Sequence, residues 1–428
     1  MLLAQSKHGR KQLSLSELLL EGVTSENKPY QTSLLQMLAA IRRHLKMDVA
    51  FISEFSDGKR VFRQVDPQTA DNPVQPGAGD PLEASFCQRV VDGRLPELIP
   101  DARLNPVAAA LPPTHALPVG AHLSVPIRMQ DGSVYGTFCC FSRKADNSLD
   151  ERDLNMMRVF ADVAGELIER ERMQARRREE ITLRLRPALE DDGLAIVYQP
   201  IYDLVQHKVV GFEALSRFVK GPERSPDVWF SEANEIGLGG RLEAQAVRMS
   251  LEGLRDLPAD IYVSVNMSPE HILEGTMDQF FRGKALHRVM LEITEHAVVE
   301  HYDELVQKIR PYRDRGLKVA VDDAGAGYSS FRHILHLMPD RIKLDMSLTR
   351  NIDGDTSRRA LAAAFARFSE ETGSAIVAEG VETAAEMHTL QALGVTRIQG
   401  FYIGRPVALP AAIQLCSADP ANGMGKLH

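Results

Sequence analysis

Gln199, Glu213, Asn266, Glu292 with Glu295, the adjacent Asp322 and Asp323, Lys343 with Asp345, Glu379 with Glu382, and Gln399 recur through the second half of the chain, each inside or just after a short apolar run. Carboxylates joined by an amide, with no histidine or cysteine beside them, favour hard cations such as Mg²⁺ or Mn²⁺ over zinc. Adjacent aspartates can let one carboxylate bridge two ions about 3.5–4 Å apart, the arrangement that stabilises both attacking and leaving oxygens in phosphoryl displacement. Lys343 adds a fixed positive charge, either for developing anionic oxygen or to hold an attacking water. Taken singly, each residue has a plainer reading: a strand-end polar group is a helix cap or a surface group, Asp322-Asp323 a turn and helix N-cap, Lys343 a surface lysine with its stem on the protein. Recurrence over consecutive strands is what points to one site.

The elements that must position these groups begin at Leu194, where short apolar strands alternate with longer helical segments, the α/β pattern. The pattern predicts strands at Ile196–Ile201, Val209–Phe218, Tyr262–Met267, Val289–Thr294, Lys318–Asp323, Arg341–Asp345, Ala375–Gly380 and Arg397–Ile403, with helices near 242–255, 300–315 and 356–371. Eight strands in this order suit a (β/α)₈ barrel, whose carboxyl strand ends converge on one face.

The chain before the barrel reads as an α+β domain over residues 1–168, followed by a helical connector at 169–189 and the barrel at 190–428. An amphipathic helix over 33–46 precedes a hairpin, Val49–Phe55 and Val61–Gln64 joined at Ser56-Asp57-Gly58. A second hairpin joins Ala121–Met129 to Val134–Phe141 through Gln130-Asp131-Gly132. The Pro/Ala/Gly-rich stretch 95–120 reads as loop. Asp150 is placed to cap a long helix whose apolar residues Leu154, Met157, Phe160, Ala164, Leu167 and Ile168 recur mostly three or four apart. Its later mixed-charge run, from Glu169 to Glu180, reads as a solvated or coiled-coil connector that would couple the two domains within a homodimer.

Length and charge bound the remaining possibilities. At 428 residues the chain is too long for one typical domain, and 44% hydrophobic with 25% charged residues is an ordinary globular composition. A net charge of −8 and an isoelectric point near 5.9 argue against polymeric nucleic acid as a partner. No signal-peptide-like apolar run and no stretch of about 18 apolar residues occurs, so no membrane insertion and a cytoplasmic location are expected. The four cysteines form no disulfide or zinc pattern. Cys139 and Cys140 should point to opposite faces of a strand, and Cys87 reads as a buried structural cysteine, a chromophore or redox thiol being the other reading.

Ordered motifs then carry a resemblance. Gly211-Phe212-Glu213-Ala214-Leu215-Ser216-Arg217 is similar to the signature of EAL-domain cyclic di-GMP phosphodiesterases. Tyr198-Gln199-Pro200-Ile201, Asn266-Met267-Ser268, Glu292-Ile293-Thr294-Glu295, Asp322 to Ser330, Lys343-Leu344-Asp345, Ala378 to Thr383 and Gln399-Gly400-Phe401 resemble the family's other motifs in order. The resemblance implies an EAL barrel that hydrolyses one phosphodiester bond of cyclic di-GMP to give linear pGpG, using two Mg²⁺ or Mn²⁺ ions. It implies Glu213, Asn266, Glu292, Asp322 and Asp323 as metal ligands, Glu379 as ligand or base beside the attacking water, and Lys343 as its catalytic partner. It further implies Gln199, Leu215, Arg217 and Gln399 at the nucleotide, with Glu295, Asp345 and Glu382 supporting the loops. Ala324 and Ala326 stand where the family usually has Phe and then Thr or Ser, in a loop thought to couple dimer packing to metal binding. The first block resembles a GAF domain through its hairpins, Ser85-Phe86-Cys87, Leu98 to Ala102 and Val134 to Phe138, which implies a small ligand or partner of unknown identity and a regulatory role. No Gly-Gly-Asp/Glu-Glu-Phe run is present, so cyclase activity is not expected. The alternative function is a catalytically silent EAL module acting as a cyclic di-GMP receptor or protein-interaction module.

Overall fold

A computed structural model describes residues 30–190, 192–293, 301–325 and 329–417. The expected Glu295 and Ala326 lie outside the described residues. Contacts divide the chain into two compact units, Met1–Arg177 and Arg178–His428.

The first unit is built on an antiparallel sheet of six strands in the order β3-β2-β1-β6-β5-β4. Both expected hairpins form: β1 (Val49–Ser56) pairs with β2 (Lys59–Asp66), and β5 (His122–Arg128) with β6 (Val134–Phe141). The first turn is set by Asp57 and Gly58, whose φ values of 51° and 72° suit the two-residue turn that matches strand twist. One sheet face packs against α1 (Tyr30–His44) and the start of α3 (Glu151–Leu185), burying Leu38, Ile41, Met157 and Phe160. The opposite face buries Phe51, Phe62, Phe86 and Cys87, the last two on α2 (Phe86–Val91). Strand alternation puts Cys139 in the second cluster and Cys140 in the first. Asp150 caps α3 as expected, accepting from the backbone N–H of Arg152 and Asp153. The stretch 95–120 is more structured than its composition suggests. Within it β4 (Leu98–Ile99) forms one sheet edge, the other being β3 (Gly79–Pro81) earlier in the chain, and two short helices, Pro106–Ala109 and Pro112–Ala116, each begin with proline at the first turn, where its missing N–H is harmless.

The second unit is a closed barrel of eight strands, β10-β11-β12-β13-β14-β7-β8-β9. The last turns of α3 belong here, Ile181 and Leu185 packing with Trp229 and Leu242. The strands are β7 (Leu194–Asp203), β8 (Lys208–Phe218), β9 (Tyr262–Asn266), β10 (Val289–Ile293), β11 (Lys318–Ala324), β12 (Arg341–Leu344), β13 (Ala375–Ala378) and β14 (Arg397–Gln399). The regular (β/α)₈ expectation needs one correction: β7 runs antiparallel to both β8 and β14, and only a tight turn through Leu204 to His207 joins it to β8. An apolar strand has no direction in its composition, and the four-residue gap is too short for a crossover helix.

Close backbone approach fixes one position in the first unit. A Cβ on Gly136 would sit 2.0 Å from the carbonyl oxygen of Ser53 on the neighbouring strand. Gly136→Ala is expected to destabilise this unit by about 1–3 kcal/mol, the usual range for overpacking. A urea melt followed by circular dichroism checks this, and an unshifted midpoint would show that the β1–β6 contact is looser than drawn.

Candidate functional site

The barrel gathers the sequence-predicted residues by strand register. Glu213 on β8 lies opposite Gln199 on β7 and beside Ser264 on β9, while Glu292 on β10 is level with Asn266 on β9. Glu213, Leu215 and Arg217 alternate along β8 and so share a face, Leu215 and Arg217 half-buried. Because β7 is reversed, Gln199 reaches the group from mid-strand and not from a carboxyl strand end.

Lys343 is the hub. The residue is 1% exposed, and its ammonium lies 2.6 Å from Glu379 Oε1, 2.8 Å from Glu292 Oε2, 3.0 Å from Asp322 Oδ1 and 3.4 Å from Glu213 Oε2. The plain surface-lysine reading is therefore overturned. Amides complete the ring: Gln399 Nε2 donates to Glu213 Oε2 at 2.5 Å and to Gln199 Oε1 at 3.1 Å, and Asn266 Nδ2 donates to Glu213 Oε1 at 3.3 Å. Asn266 Oδ1 and Gln399 Oε1 are buried acceptors with no hydrogen-bond partner.

Two carboxylate triads share one member. Glu213, Glu292 and Asp322 offer oxygens within 4.8 Å of one another, as do Asp322, Asp323 and Glu379. Asp323 holds φ at 54°, a left-handed conformation that a non-glycine residue adopts at a cost, and its N–H donates to Asp322 Oδ1 at 3.0 Å. Together with the orphaned Asn266 oxygen, this all-oxygen donor set matches what hard divalent cations require.

Burial drives the electrostatics. It alone would lower the Lys343 pKa, but Asp322, Glu213, Glu292 and Glu379 outweigh it and hold the ammonium well above its ordinary range. Burial pushes the Glu292 carboxyl up to about 8, against the pull of Lys343 and helped by Glu213 and Asp322. It likewise drives Glu379 well above the ordinary carboxylate range. Burial opposes ionisation of Glu213 too, yet Lys343 and the hydrogen bonds from Gln399 and Asn266 hold its pKa below the usual value.

Two expected supporting residues stand outside this cluster. Asp345 caps the short helix Met346–Thr349 by accepting from Ser347 N–H, and Glu382 is exposed and paired with Arg350. The residue that braces the loop after β13 is Glu386, 4% exposed, which accepts from the N–H groups of Asn351, Glu382 and Thr383. Sequence reasoning missed it although Thr383-x-x-Glu386 is a capping box. Thr349, also missed, donates its hydroxyl to the Glu379 carbonyl oxygen.

A family model described as the EAL domain matches residues 182–406, more than half of the chain, and one described as the GAF domain matches residues 29–169. An uncharacterized protein of Sinorhizobium fredii is 31% identical over 288 residues, covering 64% of this chain and 35% of that protein. The cyclic di-GMP phosphodiesterase NbdA of Pseudomonas aeruginosa is 30% identical over 243 residues, covering 53% of this chain and 30% of NbdA. The chain thus spans about a third of the length of these curated relatives. The crystal structure of an EAL domain protein from Listeria monocytogenes superposes with a TM-score of 0.50 at 22% identity, covering 55% of this chain and 97% of that one, a likeness of fold.

Removing Lys343 tests the charge balance directly. Lys343→Ala leaves four buried carboxylates without their cation, and breaking such a pairing costs about 3–5 kcal/mol. Because the Glu292 carboxyl is raised from 4.5 to about 8 and Glu379 is raised as well, their charged forms are disfavoured in the fold. Their contribution to stability is therefore greatest below the unfolded-state value and falls as pH rises through this window. The metal-free variant is expected to melt well below the wild type near pH 8 and to recover much of the difference near pH 5. Equal differences at both pH values would show that Lys343 does not balance these groups.

Proposed function

We propose that this chain, which belongs to the EAL-domain family and carries a GAF domain ahead of its barrel, hydrolyses cyclic di-GMP to linear pGpG with two Mg²⁺ or Mn²⁺ ions. The observation that carries the reading is the pair of carboxylate triads sharing Asp322, with Lys343 between them and the Asn266 oxygen unpartnered. Glu213, Asn266, Glu292, Asp322, Asp323 and Glu379 would hold the ions. When bound, divalent cations polarise the phosphoryl oxygens and lower the pKa of water.

The chain's own groups supply the rest. Arg217 presents a planar donor fork suited to a phosphate oxygen, and Leu215, on the same face of β8, offers an apolar contact for a base. Gln399 orients Glu213, Gln199 in turn accepts from Gln399, and both line the nucleotide site. Glu379 accepts the proton of the attacking water, and Lys343, 2.6 Å away, holds that carboxylate in place. The water oxygen bonds to phosphorus as one P–O bond of the ring breaks, and the leaving sugar oxygen departs with the electron pair and takes up a proton from solvent, giving a linear dinucleotide.

The domain limits that go with this reading are 1–168, 169–189 and 190–428, the first block setting the activity of the third within a homodimer. Comparing specific activity and oligomeric state of the full chain with a form lacking residues 1–170 tests that regulation, and an unchanged rate in an unchanged dimer removes it.

The full chain is expected to turn cyclic di-GMP into pGpG with Mg²⁺ or Mn²⁺ and poorly with Ca²⁺, which accepts looser coordination. Chromatography of the nucleotides reads the outcome, and absence of pGpG with either productive metal would leave the silent-receptor reading in its place. Glu213→Ala should lower turnover more than about 100-fold, beyond the 10–100-fold typical of residues that only orient ligands. Near-normal turnover in a folded variant would remove Glu213 from the site.

A further inference from the structure

The sheet face of the first unit that packs against α2 holds a second set of chemically active groups. Arg60 on β2 is 3% exposed, and its guanidinium chelates Asp80 while its Nη1 lies 3.1 Å from Cys87 Sγ. It also stacks over the Phe62 ring at 4.7 Å, so its orientation is fixed from two sides. Cys87 on α2 and Cys139 on β6, fifty-two residues apart in sequence, bring their sulfurs to 3.5 Å. Cys139 Sγ is held in turn by Ser124 Oγ at 3.0 Å and Thr137 Oγ1 at 3.1 Å. The described structure records all four cysteines as free thiols.

We propose that Cys87 and Cys139 are a modification site: a hydroperoxide oxidises Cys87, and Cys139 resolves it into an intramolecular disulfide. Two observations support this. The sulfurs need to approach by only about 1.5 Å to reach bonding distance. A fixed guanidinium in contact with one sulfur, and not the other, makes the pair asymmetric, as nucleophile and resolving thiol must be. The titration agrees with that asymmetry. Burial opposes ionisation of Cys87, but the Cys139 hydrogen bond and the Arg60 charge bring its pKa down to about 5, whereas burial and Cys87 itself hold Cys139 well above its ordinary value.

The chemistry balances without another reactant. The Cys87 thiolate attacks the peroxide, an S–O bond forms, the O–O bond breaks, and alkoxide or hydroxide departs with the electron pair. The Cys139 sulfur then attacks Cys87, the S–S bond forms, the S–O bond breaks, and the displaced hydroxide leaves as water with the Cys139 proton. Two sulfurs are oxidised and one peroxide is reduced.

The test is peptide mapping of the full chain after hydrogen peroxide treatment and alkylation of the remaining thiols under unfolding conditions. A Cys87–Cys139 linked peptide is expected to form roughly tenfold faster than oxidation of the partly exposed Cys416, while Cys140, on the other sheet face, stays free. In Cys139→Ser, dimedone should trap a sulfenic acid on Cys87. Cys87 and Cys139 both remaining free after Cys416 has reacted, Cys87 pairing with another cysteine, or dimedone failing to label Cys87 in a folded Cys139→Ser would each overturn the proposal.

Discussion

The ammonium of Lys343 inside four carboxylates is the interaction on which the barrel's upper layer depends. No other described cation lies within ion-pair reach of Glu213, Glu292, Asp322 or Glu379; the first three sit on different strands, and Glu379 directly follows a fourth, β13. Their convergence is a matter of register: β8, β10, β11 and β13 must each present the right pleat inward, since a one-residue slip turns a carboxylate out of the barrel. One positive charge against four negative ones still leaves the group under-neutralised. Burial first, and the neighbouring carboxylates second, raise the Glu292 and Glu379 carboxyls, and a pair of divalent ions is the further positive charge that the proposed function calls for.

Much of this was legible because strands and turns leave local signatures. The hairpins around Asp57-Gly58 and Asp131-Gly132, the helix opened by Asp150 and every barrel strand could be read from apolar periodicity and turn residues. What periodicity does not encode is direction and depth. The apolar run at β7 reads the same either way along its length, so its reversal, and with it the mid-strand placement of Gln199, was not visible. Lys343 in isolation resembles any surface lysine; only the closing of the barrel removes it from water. Glu386 was overlooked beside Glu382 because two acids four residues apart compete for one role, and the capping box that distinguishes them is a backbone feature.

The first unit shows the same principle from the other side. Cys139 and Cys140 are neighbours in sequence and separated in space by the thickness of a sheet, while Cys87 and Cys139 are distant in sequence and in contact. Arg60 is buried with its charge matched by Asp80 and its planar faces covered by aromatic rings, so the surrounding core is ordered around a polar group. A composition scan sees an Arg on an alternating strand and assigns it to solvent.

The reversal of β7 carries a mechanical consequence. In a barrel whose strands all run parallel, the first strand starts at the floor, and the polypeptide reaches the mouth only after crossing the barrel. Here Ala195 and Val197, among the first residues of the barrel, are already paired with Arg217 and Leu215 at the mouth. Tension or torsion arriving along the chain from Leu185 would be applied at the rim, within one strand spacing of the residues that face the pocket, with no eight-stranded stack in between to absorb it.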